Sequence, residues 1–233
     1  MEREEHLDRF YSLLKELEEK LGGKRKLKDC HGRMDWPQRG IYFFFSSDET
    51  RDDCGSKRVT RVGTHALKEG SNKTLWARLR EHRGYNRGSF PGGGNQRASI
   101  FRRIVGEAII HKEGLEEIYP EWSKGSSAPK ETRKQEYEME KRVSEYIREL
   151  PFLWLKVNDE PGQESDRGYL ERNSIALLSN YNKPSIDQRS ENWLGQYSPK
   201  DKIKSSGLWN SNHVDESYEP EFLDVLEEYV EEW

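Results

Sequence analysis

The 233-residue sequence has few cysteines and no long apolar run. Its two cysteines, Cys30 and Cys54, are too few and too far apart for a disulfide framework or a cysteine-rich zinc site, so we interpret them as reduced structural thiols. No stretch approaches the roughly 18 apolar residues of a membrane-spanning helix, and the acidic start lacks the basic-then-apolar order of a signal peptide. These absences predict a cytoplasmic protein with no membrane partner.

The sequence also has little apolar material for a core. Hydrophobic residues make up 32% and charged residues 35%, so the core must rely heavily on 11 tyrosines, 8 phenylalanines and 7 tryptophans. A chain of this length usually forms one elaborated domain or two small ones. We predict an N-terminal helical extension over residues 1–36, a central domain over 37–200 and an acidic C-terminal extension over 201–233.

Positive charge is absent from the last part of the sequence and concentrated in the middle. Residues 215–233 contain nine acids and no base, whereas residues 73–103 contain eight lysines and arginines and one acid, Glu81. The net charge of −4 alone argues against a nucleic-acid partner. The segregation of charge reverses that inference, because it favours a polyanion held on one face of the protein.

Hydrophobic periodicity predicts an α+β protein. Residues 2–21 place apolar side chains at helical spacing and end at two glycines, as an amphipathic helix does. Short apolar runs predict strands over 40–45, 58–63 and 152–157, and the first two form a hairpin with a long loop. Other helices are predicted over 74–82, 98–111, 130–150, 167–180 and 219–232. The expected fold is a small three-stranded, mostly antiparallel sheet flanked by helices, with added helices at both ends.

Helical phase places two polar side chains on the core-facing side of the helix over 74–82. At about 100° per residue, Arg78 and His82 fall in the same stripe as Leu75 and Leu79. A desolvated guanidinium needs a partner. Arg78 is therefore either in a structural ion pair or aimed at an anionic ligand such as a phosphate.

A carboxylate takes a similar inward position on a later helix. Glu171 falls in the stripe defined by Leu170, Ile175 and Leu178. An inward carboxylate costs free energy unless it meets a cation. Two cations are candidates: Mg²⁺, which proteins commonly hold with only one or two carboxylates, and Arg78 in a salt bridge.

Four short motifs follow one another in a fixed order along the chain. They are Gly40-Ile41-Tyr42 on a strand, Arg61-Val62-Gly63-Thr64 ending a second strand, Arg78 with His82 on a helix, and Glu171 on a later helix. Over roughly residues 38 to 195 this order resembles the GIY-YIG nuclease superfamily. The resemblance implies a metal-dependent DNA endonuclease that hydrolyses phosphodiester bonds with Mg²⁺ or Mn²⁺.

The resemblance also implies roles for three residues. Tyr42 would act on the attacking water as general base or positioner, Arg78 would stabilise the transition state, and Glu171 would hold one divalent metal. A phenol with the ordinary tyrosine pKa of about 10 is a poor base at neutral pH, so this role needs a nearby cation that favours phenolate.

Arg61 departs from the family pattern, because it replaces the second tyrosine of the two tripeptides. Two outcomes follow, and they point in opposite directions. If Arg61 stabilises a Tyr42 phenolate or contacts the phosphate, the protein is an active enzyme. If the site is degenerate, the protein is a catalytically inactive GIY-YIG-like module that binds nucleic acid or another protein.

Two further positions are matched less tightly. His82 stands where restriction-enzyme relatives carry a histidine near the phosphate, although a packed imidazole is an equal alternative. The family's late asparagine follows the glutamate by about a dozen residues, which makes Asn182 the nearest match, with Asn180 and Asn192 as rivals.

The basic middle of the chain supplies candidate DNA contacts. Arg97, Arg102 and Arg103 follow a glycine-rich loop and open a helix, where arginines and helix amides together suit backbone phosphates. Arg80 and Arg83 lie off the inward stripe of their helix and are assigned to nucleic-acid binding as well. A solvated basic face is the alternative. Because two strands need two cuts, we also predict a possible homodimer, with residues 2–21 as its candidate surface.

Overall fold

The computed structural model describes residues 2–51 and 55–233. Within them, four strands are formed: β1 Arg25–Lys26, β2 Gly40–Thr50, β3 Lys57–Gly63 and β4 Pro151–Lys156. The α-helices are α1 Glu2–Leu21, α2 Leu75–Arg83, α3 Ile100–Glu113, α4 Lys130–Gln135, α5 Tyr137–Glu149, α6 Asp166–Leu178, α7 Asp201–Ser206 and α8 Phe222–Glu231. Short 3₁₀ turns occupy Leu27–Asp29, Gln96–Ala98 and Leu194–Tyr197. No helix in the described part of the chain is long and apolar enough to cross a membrane.

The strands form one antiparallel sheet in the order β1-β4-β2-β3. The predicted α+β class is confirmed, and the three predicted strands are present. The fourth strand, β1, was not predicted, because its two basic residues carry no apolar pattern. The predicted helix over 130–150 is two helices, α4 and α5, that meet at Glu136.

The central strand β2 is buried on both faces, so its apolar run serves two cores. Ile41, Phe43 and Phe45 point into a core shared with α1, α6 and α8. Tyr42 and Phe44 point to the opposite face, into a core shared with α2, α3 and α5. This alternation explains how a sequence with so few hydrophobic residues supports a sheet, since successive side chains of one strand fill two layers.

The apolar stripe of α1 is part of the protein's own core. Phe10 has no exposed surface and its ring lies 5.8 Å from that of Phe43 and 6.4 Å from that of Phe222. The acidic helix α8 covers the same face, and Arg9 of α1 bridges to Asp224 of α8 at 2.7 Å. The prediction that residues 2–21 present a dimer surface is therefore wrong for this stripe, because α8 and the sheet already cover it.

A late segment of the chain runs along the outer edge of β3. The backbone N–H of Trp209 donates to the carbonyl of Thr60 at 2.7 Å. The Asn210 side chain pairs with both backbone groups of Val62, accepting from N at 3.1 Å and donating to O at 2.9 Å. These bonds satisfy polar groups that an edge strand would otherwise present, and they fix the end of β3 at Gly63.

Cys30 has the character expected of a structural thiol. It is free and buried, and its Sγ lies 3.3 Å from the Lys26 carbonyl oxygen. Burial raises the pKa of this thiol to about 11, so it stays protonated and unreactive at neutral pH. Cys54 lies outside the described residues.

Candidate active site

Tyr42 stands on the central strand with its side chain turned toward α2. Its side chain has no exposed surface, and its hydroxyl lies 2.8 Å from Nε2 of His82. Gly63 is the register partner of Tyr42 on β3, and a Cβ at this glycine would lie 2.4 Å from the tyrosine hydroxyl. The glycine of the second tripeptide is therefore needed for the tyrosine of the first to occupy this place.

The local sequence of α2 sets Arg78 and His82 one turn apart on the side that faces Tyr42. Thr74 begins the helix by accepting a hydrogen bond from the Ala77 N–H at 3.1 Å, and Gly84 ends it with a positive φ of 81°. A Cβ on Gly84 would lie 2.3 Å from the Gly93 carbonyl oxygen, so the next loop also needs a glycine here.

His82 is a neutral imidazole held at both nitrogens. It is fully buried, and its Nδ1 lies 2.8 Å from the hydroxyl oxygen of Ser99, the residue that caps α3. Burial holds the pKa of His82 well below its ordinary range, and the charges of Arg78, Arg61 and Arg102 lower it further. When Nδ1–H donates to Ser99, the lone pair of Nε2 is free to accept the hydrogen of the Tyr42 hydroxyl.

Arg78 forms an ion pair and still reaches solvent. Its guanidinium donates to Oε2 of Glu81 at 3.1 Å and to the Ala98 carbonyl at 3.2 Å, and its side chain is 17% exposed. Burial opposes its charge, but the Tyr42 phenol and Glu81 outweigh that effect and raise the pKa of Arg78. The ion-pair alternative for Arg78 is therefore present, with Glu81 as the partner. The anionic-ligand alternative stays a prediction, and the partly exposed guanidinium beside Tyr42 is compatible with it.

Arg61 is buried beside the same tyrosine and lacks an acidic partner. Its guanidinium donates to the Trp209 carbonyl and lies 4.8 Å from the centre of the Phe101 ring. Across residues 2–51 and 55–233, no carboxylate lies within salt-bridge distance of Arg61, and its Nε has no hydrogen-bond partner. Burial lowers the pKa of Arg61, while the nearby Tyr42 opposes that shift.

Glu171 reaches the end of β3 from α6. Its Oε1 accepts the Thr64 N–H at 3.1 Å, and Thr64 is held in turn by its own hydroxyl, which donates to the Gly40 carbonyl at 2.9 Å. Burial raises the pKa of Glu171, against the opposing effect of Arg61 and the Thr64 hydrogen bond. No described cation lies within salt-bridge distance, so the alternative of a Glu171–Arg78 salt bridge is not formed.

The donor set of Glu171 fits one hard divalent cation. A single carboxylate whose second oxygen has no protein partner, destabilised by burial, suits Mg²⁺, which keeps several waters and takes few protein ligands. The described residues contain no group of three or more histidines, cysteines or carboxylates that would form a protein-built metal cage. Any metal here would therefore depend on water and on the substrate for its remaining ligands.

The structure places the three candidate asparagines in different surroundings. Asn182 is exposed in a turn beyond the C-terminal end of α6, with a positive φ of 53°. Asn180 is used structurally, since its side-chain oxygen accepts from Arg3 and from the Ile186 N–H. Asn192 is exposed as well. The asparagine that does reach the site's strands is Asn210 on Val62, which sequence spacing missed because it follows Glu171 by far more than a dozen residues.

Arg97 and Arg102 are not available to DNA phosphates, which corrects the prediction made for them. Arg102 has no exposed surface, and its Nε donates to Glu140 of α5 at 3.0 Å. The Arg97 side chain is 3% exposed and donates to both oxygens of Glu136. These pairs join α3 and the 3₁₀ turn before it to α5 and the residue that precedes it. The partners are nearly 40 residues apart in sequence, a separation over which local patterns give no signal.

The other predicted DNA contacts have mixed surroundings. Arg80 is exposed and Arg103 is partly exposed. Arg83 is 9% exposed, donates to the Cys30 carbonyl at 2.7 Å and lies 5.0 Å from the centre of the Trp76 ring. Only part of the basic middle of the sequence is therefore a basic surface.

The fold has the arrangement expected of a GIY-YIG domain. A central strand that begins with Gly40-Ile41-Tyr42 lies beside a strand that ends in Val62-Gly63, and helices cover the small antiparallel sheet that the two strands share. A protein-family model described as the GIY-YIG domain matches residues 1–233. The chain therefore belongs to the GIY-YIG domain family, which consists generally of endonucleases. No curated protein and no solved structure gives a significant match to the chain.

Proposed function

We propose that this chain is a metal-dependent DNA endonuclease that hydrolyses phosphodiester bonds. The observation that carries the proposal is the 2.8 Å contact between the Tyr42 hydroxyl and a neutral, buried His82, with the guanidinium groups of Arg61 and Arg78 alongside. A phenol next to a proton acceptor and two cations is the environment in which phenolate becomes accessible.

The proton would move from the Tyr42 hydroxyl to Nε2 of His82, and the phenolate oxygen would then take a proton from the attacking water. Burial is the main cause of the low pKa of His82, which opposes this transfer, and the charges of Arg78 and Arg61 lower that pKa further. A phosphate bound by Arg78 would offset the part of the shift that comes from Arg78. Substrate binding would therefore make His82 a better proton acceptor.

Arg78 would bind the reacting phosphate. Its side chain is the partly exposed one of the two guanidinium groups beside Tyr42, and it already donates along one edge to Glu81 and Ala98. Planar guanidinium donors match phosphate oxygens and offset the negative charge that grows on them during attack. Arg61, buried behind Tyr42, would stabilise the phenolate.

Glu171 would hold the divalent cation, Mg²⁺ or Mn²⁺. Such an ion, when bound, supplies positive charge that stabilises the developing negative charge on the phosphate and leaving oxygen. The role of the protein at this point is to hold the carboxylate: the Thr64 N–H fixes Oε1 and leaves Oε2 for the ion.

One site of this kind makes one cut. We propose that a single copy nicks one DNA strand and that cutting both strands requires a second copy. The apolar stripe of α1 does not supply that contact, because it lies in the core.

The test is cleavage of supercoiled plasmid and labelled oligonucleotides with Mg²⁺, Mn²⁺ or EDTA. We expect metal-dependent nicking that Tyr42→Phe and Glu171→Gln each reduce by about 10²-fold or more. Glu138→Gln is the matched control, because Glu138 is an exposed glutamate on α5 with no contact to the site. Undiminished cleavage by Glu171→Gln would exclude Glu171 as the metal ligand. Undiminished cleavage by Tyr42→Phe would exclude Tyr42 as the general base.

A specific observation favours the second candidate function, a non-catalytic module. Tyr42 has no exposed surface, and an arginine stands in place of the second family tyrosine. A protein that binds DNA with strong salt dependence but cuts no substrate with either metal would support this alternative over the nuclease.

A further inference from the structure

A basic cavity lies beside α2, next to the candidate active site. Its volume is about 720 Å³.

 A volume of 720 Å³ is within the range of small-ligand pockets, about 300–1,000 Å³, and does not accommodate a DNA duplex.

The wall of this cavity carries an excess of positive charge. Arg80, Arg83 and Arg87 line it together with His31, and the acid among the lining residues is Glu81. Glu81 is already paired with Lys73 at 2.7 Å and with Arg78 at 3.1 Å. Neither Arg80 nor Arg87 forms an ion pair with any described residue, so both are available to an anion.

The same cavity contains aromatic surface that is open to solvent. Tyr85 lines it and is 39% exposed. Trp76 lines it too, but its ring is already in contact with Trp36, which stacks on it with centroids 5.0 Å apart, and with the guanidinium of Arg83 at 5.0 Å. Tyr85 is therefore the ring that is available for stacking. An exposed aromatic ring among arginines is the combination that binds single-stranded nucleic acid, because bases stack on the ring while the cations contact the backbone.

The cavity adjoins the surroundings of Arg78 in the candidate active site. Glu81 and Ala98 form part of its wall, and the guanidinium of Arg78 donates to both of them. A strand whose phosphate lies on Arg78 would therefore pass its neighbouring nucleotide into this cavity.

We propose that the cavity binds an unpaired nucleotide next to the scissile phosphate, so that the substrate is DNA with a single-stranded segment rather than an intact duplex. The inference rests on the proposed nuclease function for its reference to a scissile phosphate. A paired base keeps its faces stacked within the helix and offers only its edges, so it cannot use the ring of Tyr85. A single-stranded, flapped or extruded base presents a free face to that ring.

The test measures binding without cleavage, by fluorescence anisotropy in EDTA. The probes are a fluorescein-labelled oligothymidylate of about twelve nucleotides, a blunt hairpin duplex and the same duplex with a single-stranded flap. We expect tighter binding of the two probes that contain single-stranded DNA. Tyr85→Ala should weaken that binding about tenfold and leave the blunt duplex unchanged, whereas Tyr85→Phe should retain it, because stacking needs the ring and not the hydroxyl.

Tyr197→Ala is the matched control, since Tyr197 is also 39% exposed but lies outside the cavity. The double variant Arg80→Ala, Arg87→Ala should weaken all three probes and reduce the salt dependence of binding. Equal affinity for blunt and single-stranded probes, or Tyr85→Ala binding as the parent does, would overturn the proposal in favour of a plain phosphate-contact surface.

The two proposals fail separately. If the protein prefers single-stranded probes through Tyr85 but cuts nothing with Mg²⁺ or Mn²⁺, the cavity assignment stands and the nuclease proposal fails. If it nicks blunt duplex and flapped duplex at the same rate and shows no dependence on Tyr85, the nuclease proposal stands and the cavity assignment fails.

Discussion

Arg102 and Arg61 are both buried guanidinium groups on the same side of the sheet, but their partners differ in kind. The Arg102 guanidinium donates from Nε to the Glu140 carboxylate at 3.0 Å. The Arg61 guanidinium donates to the Trp209 carbonyl and lies over the Phe101 ring. Among the described residues, no carboxylate lies within salt-bridge distance of it. A buried cation already neutralised by a carboxylate serves the fold, whereas one without an acid remains able to stabilise an anion that arrives later.

Two further arginines extend this comparison. Arg97 is nearly buried and paired with Glu136, as Arg102 is with Glu140. Arg78 lies beside Tyr42, as Arg61 does, and its pair with Glu81 leaves its side chain partly exposed. The comparison predicts opposite results for the two sets: variants of the first should change stability, and variants of the second should change activity.

Arg102→Leu should have the largest effect. Removing the cation leaves Glu140 buried without its partner, which should lower the free energy of unfolding by about 3–5 kcal/mol. Urea denaturation measures this change. Arg142→Leu is the control, because Arg142 is 39% exposed in its pair with Glu113 and should cost less than about 1 kcal/mol. A cost for Arg102→Leu no larger than the control's would remove the structural half of the comparison.

Arg78→Ala should reduce DNA cleavage by about 10²- to 10³-fold, because its guanidinium is the candidate group for transition-state charge. The free energy of unfolding should fall by less than about 1 kcal/mol, since the pair with Glu81 is partly exposed and lies within one helix turn. Nicking rates and urea denaturation of the same preparation check both statements. If stability falls as far as in Arg102→Leu, Arg78 belongs to the structural set.

Arg61→Met should change the free energy of unfolding by no more than about 1 kcal/mol in either direction. The lost hydrogen bond to Trp209 is offset by relief of a desolvated charge that no acid compensates. Urea denaturation measures the change, and nicking should fall if Arg61 stabilises the Tyr42 phenolate. A loss of about 3 kcal/mol or more would place Arg61 beside Arg102 and break the comparison.

The sequence predicted those parts of the molecule that depend on short-range pattern. The apolar runs that became β2 and β3 have lengths and compositions typical of buried strands. Helical phase predicted that Arg78 and His82 face the core, and the structure places His82 in contact with Tyr42. Both results depend on residues that are neighbours within one strand or one helix.

Pairings across long stretches of sequence were not predictable in this way. The partners of Arg97 and Arg102 are Glu136, where α4 and α5 meet, and Glu140 on α5, and both belong to what reads in the sequence as an ordinary charged helix. Asn210 reaches Val62 across 148 residues, and no local signal gives that register. Such contacts are decided by which helices the sheet brings together, so a count of basic residues along the chain could not separate buried ion pairs from surface charge.

The segment 207–210 also has a consequence for how the protein is made. It pairs with the outer edge of β3 through Trp209 and Asn210, although β3 is synthesised nearly 150 residues earlier. An emerging chain therefore carries an open strand edge until this segment has left the ribosome, and such an edge can pair with another nascent chain. Truncation before this segment should yield protein that aggregates during expression, even with every motif residue in place.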